Sequence, residues 1–524
     1  MKLIARLLAL LIVLLLANPA YAQFGRLKGK SKDKGKEAPA ASEQAPELTD
    51  KDKAKMEEIA QRAEIKEAID KEWADVKRAD MEVAYAINTR DRMRMVARSA
   101  DEEALQRVVK FGGLYDNPIL QDYVNNLGQS LVPKDSPNLY AFKLVLNPIP
   151  RAESLTTGTI YASTGLVSML DNEAQLAYVL AHEIAHIEKM HRYLEVRNSV
   201  LENALIAEKE KDAARKRMII GLISAGAGAA VGGAIGGSTA AVQGAMMGGI
   251  GGLIASEFVF RQRLRPTAWS LVNENDADEY GLKLSLERNY DVREVPKAYA
   301  RLDSLVGKDA RVGLGFMGDK TRVKERLAQI QGLLGGSMKA ELEAKIKVGL
   351  TGSTANFSLL MAALKRDNGI AALDYDLFPM AKENLEDAVS IRSNDPRAYY
   401  YLGKVSAMTG RTAAERQQAL SHFLKAIQYD AERGSYPEPH LQYALNLIRE
   451  NNPAHRDKIL EELKGYVTLY QRQNGGQVPA NMPIIYDYLL LAGENSWFVP
   501  PVSNVSTKNV EAIQVMTVAA PRRP

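Results

Sequence analysis

The sequence predicts a mainly α-helical protein with a small β-sheet, followed by an α-helical repeat domain. Apolar residues recur at three- to five-residue steps from Met56 to Val76, which is the spacing of amphipathic helices. Two short stretches, Tyr140–Leu146 and Gly158–Ser163, are rich in the aromatic and β-branched residues typical of strands. Beyond Gly336 the helical pattern becomes weakly repetitive. These three observations together indicate the fold class.

The composition excludes several classes of protein. The 524 residues are 46% apolar and 25% charged, which argues against wholesale disorder and against a polytopic membrane protein. The formal net charge is only +4, so we expect no nucleic-acid partner. The absence of cysteine excludes disulfides, thiolate catalysis and thiolate zinc ligands. A metal ion would therefore have to bind carboxylates and some of the six histidines.

Residues 1–22 have the features of a secretory signal peptide. A basic start precedes the apolar run Leu7–Leu16, and Ala20–Ala22 fits the small-x-small cleavage rule. A retained anchor is the alternative, but ten apolar residues are short for a span of about 20. Residues 23–46 are basic and rich in small residues, as in a disordered linker. We expect an exported protein, and the lack of cysteine suits a bacterial periplasm.

The remaining chain divides into four regions by composition. Residues 47–111 predict amphipathic helices, and residues 112–335 mix helical and strand patterns as one domain. Residues 336–474 predict a helical domain, and proline breaks the pattern in 475–524, which we expect to be an extended tail.

The helical domain contains a weak internal repeat. The stretch Leu385–Ile391 resembles Phe423–Tyr429, 38 residues later. Each is followed by a turn with proline and a second helical segment, Ala398–Met408 and His440–Arg449. This is the layout of tetratricopeptide repeats, at a period longer than their usual length of about 34 residues. An irregular helical bundle is the alternative, and the sequence leaves both open.

The most specific motif is His-Glu-Ile-Ala-His at residues 182–186, in a segment without proline or glycine. Positions i and i+4 share one face of a helix, so His182 and His186 can bind the same zinc ion. Glu183 lies beside the first histidine and can take a proton from the attacking water. A buried pair of structural histidines is the alternative.

A catalytic zinc site holds three protein ligands. Because there is no cysteine and the next histidine is His191, we expect the third ligand to be a carboxylate. The helical, glycine-terminated segment Asn273–Gly281 offers several candidates.

His-Glu-x-x-His followed by a distant Glu-x-x-Ala-Asp helix resembles the zinc metalloproteases typified by HtpX and the CAAX prenyl protease. The similarity covers about residues 115–334, including the lead-in Asp116–Gly128, and the repeats after it are similar to those of periplasmic BepA-type members. The resemblance implies an α+β gluzincin-like protease domain with one Zn²⁺ per chain. It makes Glu274 the third zinc ligand and Asp278 the carboxylate that orients a ligand histidine. A surface charge on a helix is the alternative for either residue.

The chain departs from this family just before the strand expected to bind substrate. The family's Asn-Ala-x-Ala-x-Pro-Gly-Gly stretch is replaced by Arg151–Gly158, so the lead-in is rebuilt. We still expect the substrate backbone to pair with an edge strand formed by Thr159, Ile160 and Tyr161.

A second departure lies further along the chain. Family members carry a His-Pro before an arginine, and in some this histidine can cap the zinc. The corresponding stretch here, Phe316–Arg322, has no histidine, which removes the basis for that regulation. Arg322 is our candidate for stabilising negative charge during catalysis.

A segment without charged residues, Met218–Ser256, separates the two halves of the zinc motif. It contains two ladders with glycine at every fourth position, Gly228/Gly232/Gly236 and Gly244/Gly248/Gly252. Glycine costs about 1 kcal/mol per helical site relative to alanine, so this density indicates close helix packing. Two interpretations remain open: a hairpin in contact with a membrane, or a hairpin packed against the protease domain.

We therefore expect an exported zinc metalloendopeptidase, periplasmic and associated with the outer membrane if the hairpin inserts. Its expected substrates are unfolded or misassembled envelope proteins, and its repeats are expected to contact assembly machinery. Two rivals remain. One is a non-proteolytic chaperone or scaffold, which the intact Glu183 argues against, and the other is a membrane-inserted glycine-zipper assembly element.

Overall fold

The computed structural model describes residues 48–88, 113–231, 271–308 and 320–491. A few helix segments in these ranges are described by their backbone alone, namely 216–231, 271, 305–308, 320–322 and 491. Helices predominate around one four-stranded sheet, so the predicted fold class is confirmed. The predicted signal peptide, basic linker and most of the glycine hairpin lie outside the described residues.

The sheet and the helices around it occupy the N-terminal part of the described chain. The helices are α1 (Asp50–Ala60), α2 (Ala63–Asn88), α3 (Pro118–Leu131), α4 (Thr164–Ser168), α5 (Glu173–Glu188), α6 (His191–Val231), α7 (Leu271–Glu287), α8 (Val295–Lys308), α9 (Lys320–Gly335) and α10 (Lys339–Val348). The strands are β1 (Gly113–Leu114), β2 (Ala141–Leu146), β3 (Ala152–Ser154) and β4 (Thr159–Ser163).

The strand order is β1-β2-β4-β3. Strands β2 and β4 pair in parallel with Phe142 opposite Ile160, and both outer strands pair antiparallel to their neighbours. The two strands that the sequence predicts are confirmed as β2 and β4. One sheet face packs on the main core, and Val83 and Ile87 of α2 cover Tyr161 on the other face.

The helices predicted in 47–111 are present in the described part of that region, as α1 and α2.

The predicted edge strand is wrong. Thr159, Ile160 and Tyr161 belong to β4, which is buried between β2 and β3, so its backbone is already paired on both sides. The rebuilt lead-in folds back as a hairpin because the Gly158 amide donates to the Leu155 carbonyl, and Gly158 has a positive φ of 80°. A turn followed by a left-handed residue is a common three-residue hairpin loop. Among the described strands, the lead-in itself therefore becomes the edge strand, β3.

The core around the sheet continues past residue 335, where the sequence predicted a domain boundary. Met338, Leu342, Phe357 and Met361 belong to the same apolar cluster as the sheet and α5. These later helices pack against the domain because their apolar faces complete its core.

The C-terminal helices form consecutive packed pairs. They are α11 (Ala355–Asp374), α12 (Phe378–Ile391), α13 (Pro396–Thr409), α14 (Ala413–Asp430), α15 (Glu438–Glu450), α16 (Arg456–Gln473) and α17 (Met482–Leu491). Gly403 on α13 packs on the Phe423 ring, where a Cβ would lie 2.5 Å from that ring. The predicted helical segments are confirmed, while their kinship with tetratricopeptide repeats stays a prediction.

The extended tail that the sequence predicts from residue 475 is interrupted by α17. Met482, Ile485 and Leu489 recur at helical spacing and are buried against α16. An amphipathic decapeptide with a ready apolar neighbour forms a helix despite the flanking prolines.

Within the described ranges, no helix has the length and apolar character needed to cross a bilayer. The backbone of α6 is helical as far as Val231, which includes the start of the glycine hairpin. The rest of the hairpin lies outside the described residues, so the membrane contact stays a prediction.

Candidate metal centre

Two helices supply the candidate site. Helix α5 begins where the Asn172 side chain accepts a hydrogen bond from the Gln175 amide, and it is buried from Glu173 to Ala185. Helix α7 packs along it, and Gly281 makes the close approach possible. A Cβ on Gly281 would lie 3.0 Å from the His182 amide nitrogen and 3.1 Å from its Cα. The backbones therefore approach closely beside the first histidine of the motif.

The structure brings His182, His186 and Glu274 to one point. The Nε2 atoms of the two histidines are 3.0 Å apart. Glu274 places one carboxylate oxygen 3.4 Å from His182 Nε2 and the other 3.6 Å from His186 Nε2. A tetrahedral zinc ion with bonds of about 2.0–2.1 Å separates its ligand atoms by about 3.3 Å. Two imidazoles and a carboxylate at this spacing fit a divalent zinc ion.

Asp278 lies directly behind His182. Its Oδ1 atom is 3.0 Å from His182 Nδ1, opposite the nitrogen that faces the metal position. The same carboxylate is fully buried and accepts hydrogen bonds from Arg326 at 2.6 and 2.8 Å, from Tyr178 at 2.6 Å and from Tyr299 at 3.0 Å. Burial alone would raise the pKa of Asp278, but the Arg326 guanidinium holds it well below its usual range. Asp278 is thus a buried anion in contact with the His182 ring, and its role in orienting that ring stays a prediction.

Arg326 is the central residue that the sequence analysis missed. Its Nη1 atom is 3.0 Å from Glu274, so one buried guanidinium bridges Glu274 and Asp278. A signal was available, because Arg326 shares its helix face with Val323 and Ile330, both fully buried. An arginine on an apolar face needs a buried partner.

The candidate that the sequence analysis chose, Arg322, lies one turn earlier on the same helix. Its side chain is outside the described residues, and its assigned role stays a prediction.

The ionisation of the three metal-facing groups reflects their crowding. Burial lowers the pKa of His182, but hydrogen bonds to Asp278 and Glu274 outweigh it and raise that pKa to about 9. Burial and the neighbouring His182 lower the pKa of His186 to about 3. Burial opposes ionisation of Glu274, yet its bond to His182 and the Arg326 charge keep its pKa below the usual value. At neutral pH and before a metal binds, the site therefore holds an anionic carboxylate, a protonated His182 and a neutral His186.

Glu183 is buried on the same helix, next to His182. Burial raises the pKa of its carboxyl to about 7, although the positive charge of His182 counteracts the rise. The Ser154 side chain forms a hydrogen bond with this carboxyl, which connects Glu183 to the edge strand β3. A carboxyl with a pKa near neutrality can both accept and return a proton.

The profile of peptidase family M48 matches residues 116–334. Residues 116–334 are a domain of peptidase family M48. The matched residues include strands β2 to β4, helices α5 and α7 and all but the last residue of α9, so all the residues of the candidate site lie within them.

Curated relatives are similar to parts of this chain. The beta-barrel assembly-enhancing protease of Yersinia pestis is 38% identical over 80 residues, or 15% of this chain and 16% of that protein. Its namesake in Escherichia coli K12 is 35% identical over 80 residues with the same coverage. A Vibrio cholerae protein provisionally given this name is 25% identical over 189 residues, or 36% of this chain and 34% of that protein. The chain therefore matches about a third or less of these relatives' lengths.

Proposed function

We propose that the protein is a zinc-dependent endopeptidase. The observation that carries this proposal is the convergence of two histidine Nε2 atoms and the Glu274 carboxylate, with contacts of 3.0–3.6 Å, next to a buried glutamate. His182, His186 and Glu274 would hold the metal. When bound, a zinc ion would supply Lewis-acid activation of water and of the scissile carbonyl.

Glu183 is the proposed general base. It accepts the proton of the attacking water and returns it to the amine that leaves, so that the peptide bond breaks without a free hydroxide or a free amide anion. Burial supports this role, because the raised pKa of about 7 keeps proton return accessible at neutral pH. The hydrogen bond from Ser154 holds the Glu183 carboxyl next to the edge strand β3.

The substrate backbone is proposed to add to the sheet at β3. The Leu155 amide donates to the Thr159 carbonyl, and the Ser163 amide donates to the Arg151 carbonyl. Along β3 and its two flanking residues, the backbone groups of the odd-numbered residues therefore point toward β4. Backbone groups alternate in direction along a strand, so those of Ala152 and Ser154 point away from β4. An extended peptide can pair with these outward groups. It would then run beside Ser154 and past Glu183.

The substrate class is proposed to be envelope proteins. The names of the relatives associate those proteins with β-barrel assembly, and the N-terminal sequence has the features of an export signal. We propose a periplasmic location, with unfolded or misassembled envelope proteins as substrates. Assembly machinery is the proposed partner of the packed helical pairs α11–α16.

Replacement of Glu183 by glutamine tests the enzymatic proposal. The glutamine keeps the size of the side chain but cannot accept a proton, and loss of a general base typically costs 10²–10⁴-fold in rate. We expect the variant to retain one zinc per chain and to lose cleavage of an unfolded envelope protein. Equal cleavage by variant and wild type at matched zinc content would exclude Glu183 as the base. A wild-type chain that binds no zinc would reject the proposed function as a whole.

A further inference from the structure

We infer that His191, supported by Asp276, is a positioning residue that fixes His186 as a metal ligand. This inference rests on the proposed zinc site. Sequence reasoning considered His191 only as an unlikely third ligand, and nothing in the zinc motif itself assigns it a function.

Three side chains form a continuous line that ends at the metal position. His191 Nδ1 is 3.0 Å from His186 Nδ1, and His191 Nε2 is 3.2 Å from Asp276 Oδ2. The two rings meet edge to face, with centroids 4.9 Å apart and planes at 78°. His191 is almost fully buried. A ring in this position contacts the back of one zinc ligand and cannot reach the metal position itself.

Coordination chemistry fixes the protons along this line. His186 presents Nε2 to the metal position, so its Nδ1 must carry the hydrogen when Nε2 donates its lone pair. That N–H donates to His191 Nδ1, which must then be the unprotonated nitrogen of its ring. The hydrogen of His191 consequently lies on Nε2 and donates to the Asp276 carboxylate. Each of the three groups holds its neighbour in the tautomer that metal binding requires.

The backbone is bent where this contact requires it. In one continuous helix, residue i+5 would point about 140° away from residue i, so His191 could not face His186. Instead α5 ends at Glu188, Met190 adopts a left-handed φ of 54°, and α6 starts at His191. A left-handed conformation is unfavourable for a residue other than glycine. This unfavourable conformation occurs at Met190, the residue that turns His191 back onto His186.

The two zinc histidines are therefore supported differently. His182 contacts the fully buried Asp278 directly, inside the network of Arg326. His186 has a side chain that is 17% exposed, and its carboxylate support is the 44% exposed Asp276, reached through His191. Lys189 is the other charge facing Asp276, at 3.6 Å. Loss of the His191 link should thus weaken metal binding without removing a buried charge from the core.

The test compares zinc affinities of full-length variants by competition with a chelator. His191→Phe keeps a ring but removes both hydrogen bonds. His191→Asn places an amide oxygen near the former Nδ1, whereas the longer glutamine side chain of His191→Gln places its polar atoms near the former Nε2. Supporting partners of zinc histidines typically contribute 10–100-fold in affinity. We expect that loss for His191→Phe and His191→Gln, and recovery to within about threefold for His191→Asn.

A second pair of variants avoids any change in the core. Asp276→Ala removes the outer carboxylate, and Glu279→Ala removes a similarly exposed carboxylate of α7 that pairs only with Lys283 among the contacts shown in the described chain. We expect Asp276→Ala to weaken zinc binding severalfold and Glu279→Ala to leave it unchanged. Thermal unfolding with chelator present reports whether each variant folds.

The outcomes separate this inference from the proposed function. Wild-type zinc affinity in folded His191→Phe or in Asp276→Ala would overturn the positioning role while leaving the zinc site intact. Equal weakening by asparagine and phenylalanine would also overturn it, because packing alone would then explain the loss. Absence of zinc binding by the wild type would instead reject the site as a whole.

Discussion

Replacement of Gly281 by alanine should weaken the metal site without changing any ligand. Gly281 lies on α7 between the carboxylates of the site and the end of the helix, where it faces the α5 backbone. The added methyl group would meet the His182 amide nitrogen at 3.0 Å, its Cα at 3.1 Å and the Ala181 carbonyl carbon at 3.4 Å. All three are backbone atoms, so no side-chain rotation can relieve the contact.

The size of the effect follows from these distances. Ordinary contact begins at 3.4 Å and the shortest distance is 3.0 Å, so the added methyl group requires the two backbones to move apart by about 0.4 Å. Metal–ligand distances tolerate deviations of about 0.2 Å, and His182 and Glu274 lie on opposite sides of the gap. Overpacking of this kind costs about 1–3 kcal/mol. If zinc binding must restore the native spacing, its affinity falls by about 5–150-fold.

The chain supplies a matched control in Gly332. This glycine lies within α9, is exposed, and a Cβ there would meet no atom of the described chain outside its own helix backbone within 4 Å. Gly332→Ala should therefore stabilise the protein by about 0.5–1 kcal/mol through helix propensity. Both variants are compared by zinc titration and by thermal unfolding with and without chelator. A Gly281→Ala protein with wild-type zinc affinity and wild-type unfolding midpoint would refute the close-approach argument.

Three further predictions concern the edge strand, the carboxylates and protons. Ser154→Pro removes an outward amide that β4 does not use, so we expect a raised KM and an intact fold, whereas Ser154→Ala should leave KM near wild type. Glu274→Ala should weaken zinc binding much more than Asp278→Ala, for which about 10–100-fold is typical of a supporting group. When the free energy of unfolding is measured with chelator present, Asp278→Ala should be the more damaging of the two variants. It removes the main partner of buried Arg326 and should lower the unfolding free energy by about 3–5 kcal/mol. Because the pKa of His182 is raised to about 9, its ring carries a proton below that pH until zinc displaces it. Zinc affinity should thus rise about tenfold per pH unit from pH 7 to 8.5, and calorimetry in different buffers should detect the released proton.

The two histidines of the candidate metal site could be predicted because their spacing is local. His182 and His186 are one helical turn apart, and any helix through them places both on one face. Glu274 lies far away in sequence and was assigned through resemblance to a family. The structure places all three within 3.6 Å of one another.

Residues whose position depends on tertiary contacts were harder to predict. Arg326 occupies the expected face of a predicted helix, but only packing of α9 against α7 shows which carboxylates it meets. Strand β3 has three residues and no strong strand pattern, so its edge position follows from the Gly158 hairpin rather than from propensity. The break at Met190 is equally hidden, since the surrounding sequence favours one continuous helix.

The buried charges explain why protons and a cation should compete for this site. With neutral histidines, ionised Glu183, Glu274 and Asp278 contribute three negative charges and Arg326 one positive charge, so the cluster carries a net charge of −2. Such a charge is costly in a protein interior, and groups there take up protons to reduce it. Burial raises the pKa of Glu183 to about 7, and hydrogen bonds to Asp278 and Glu274 outweigh burial and raise the pKa of His182 to about 9. A divalent cation would neutralise the same cluster, displace the His182 proton and favour ionisation of Glu183. Glu183 would therefore be able to accept a proton once the metal that activates the attacking water is bound.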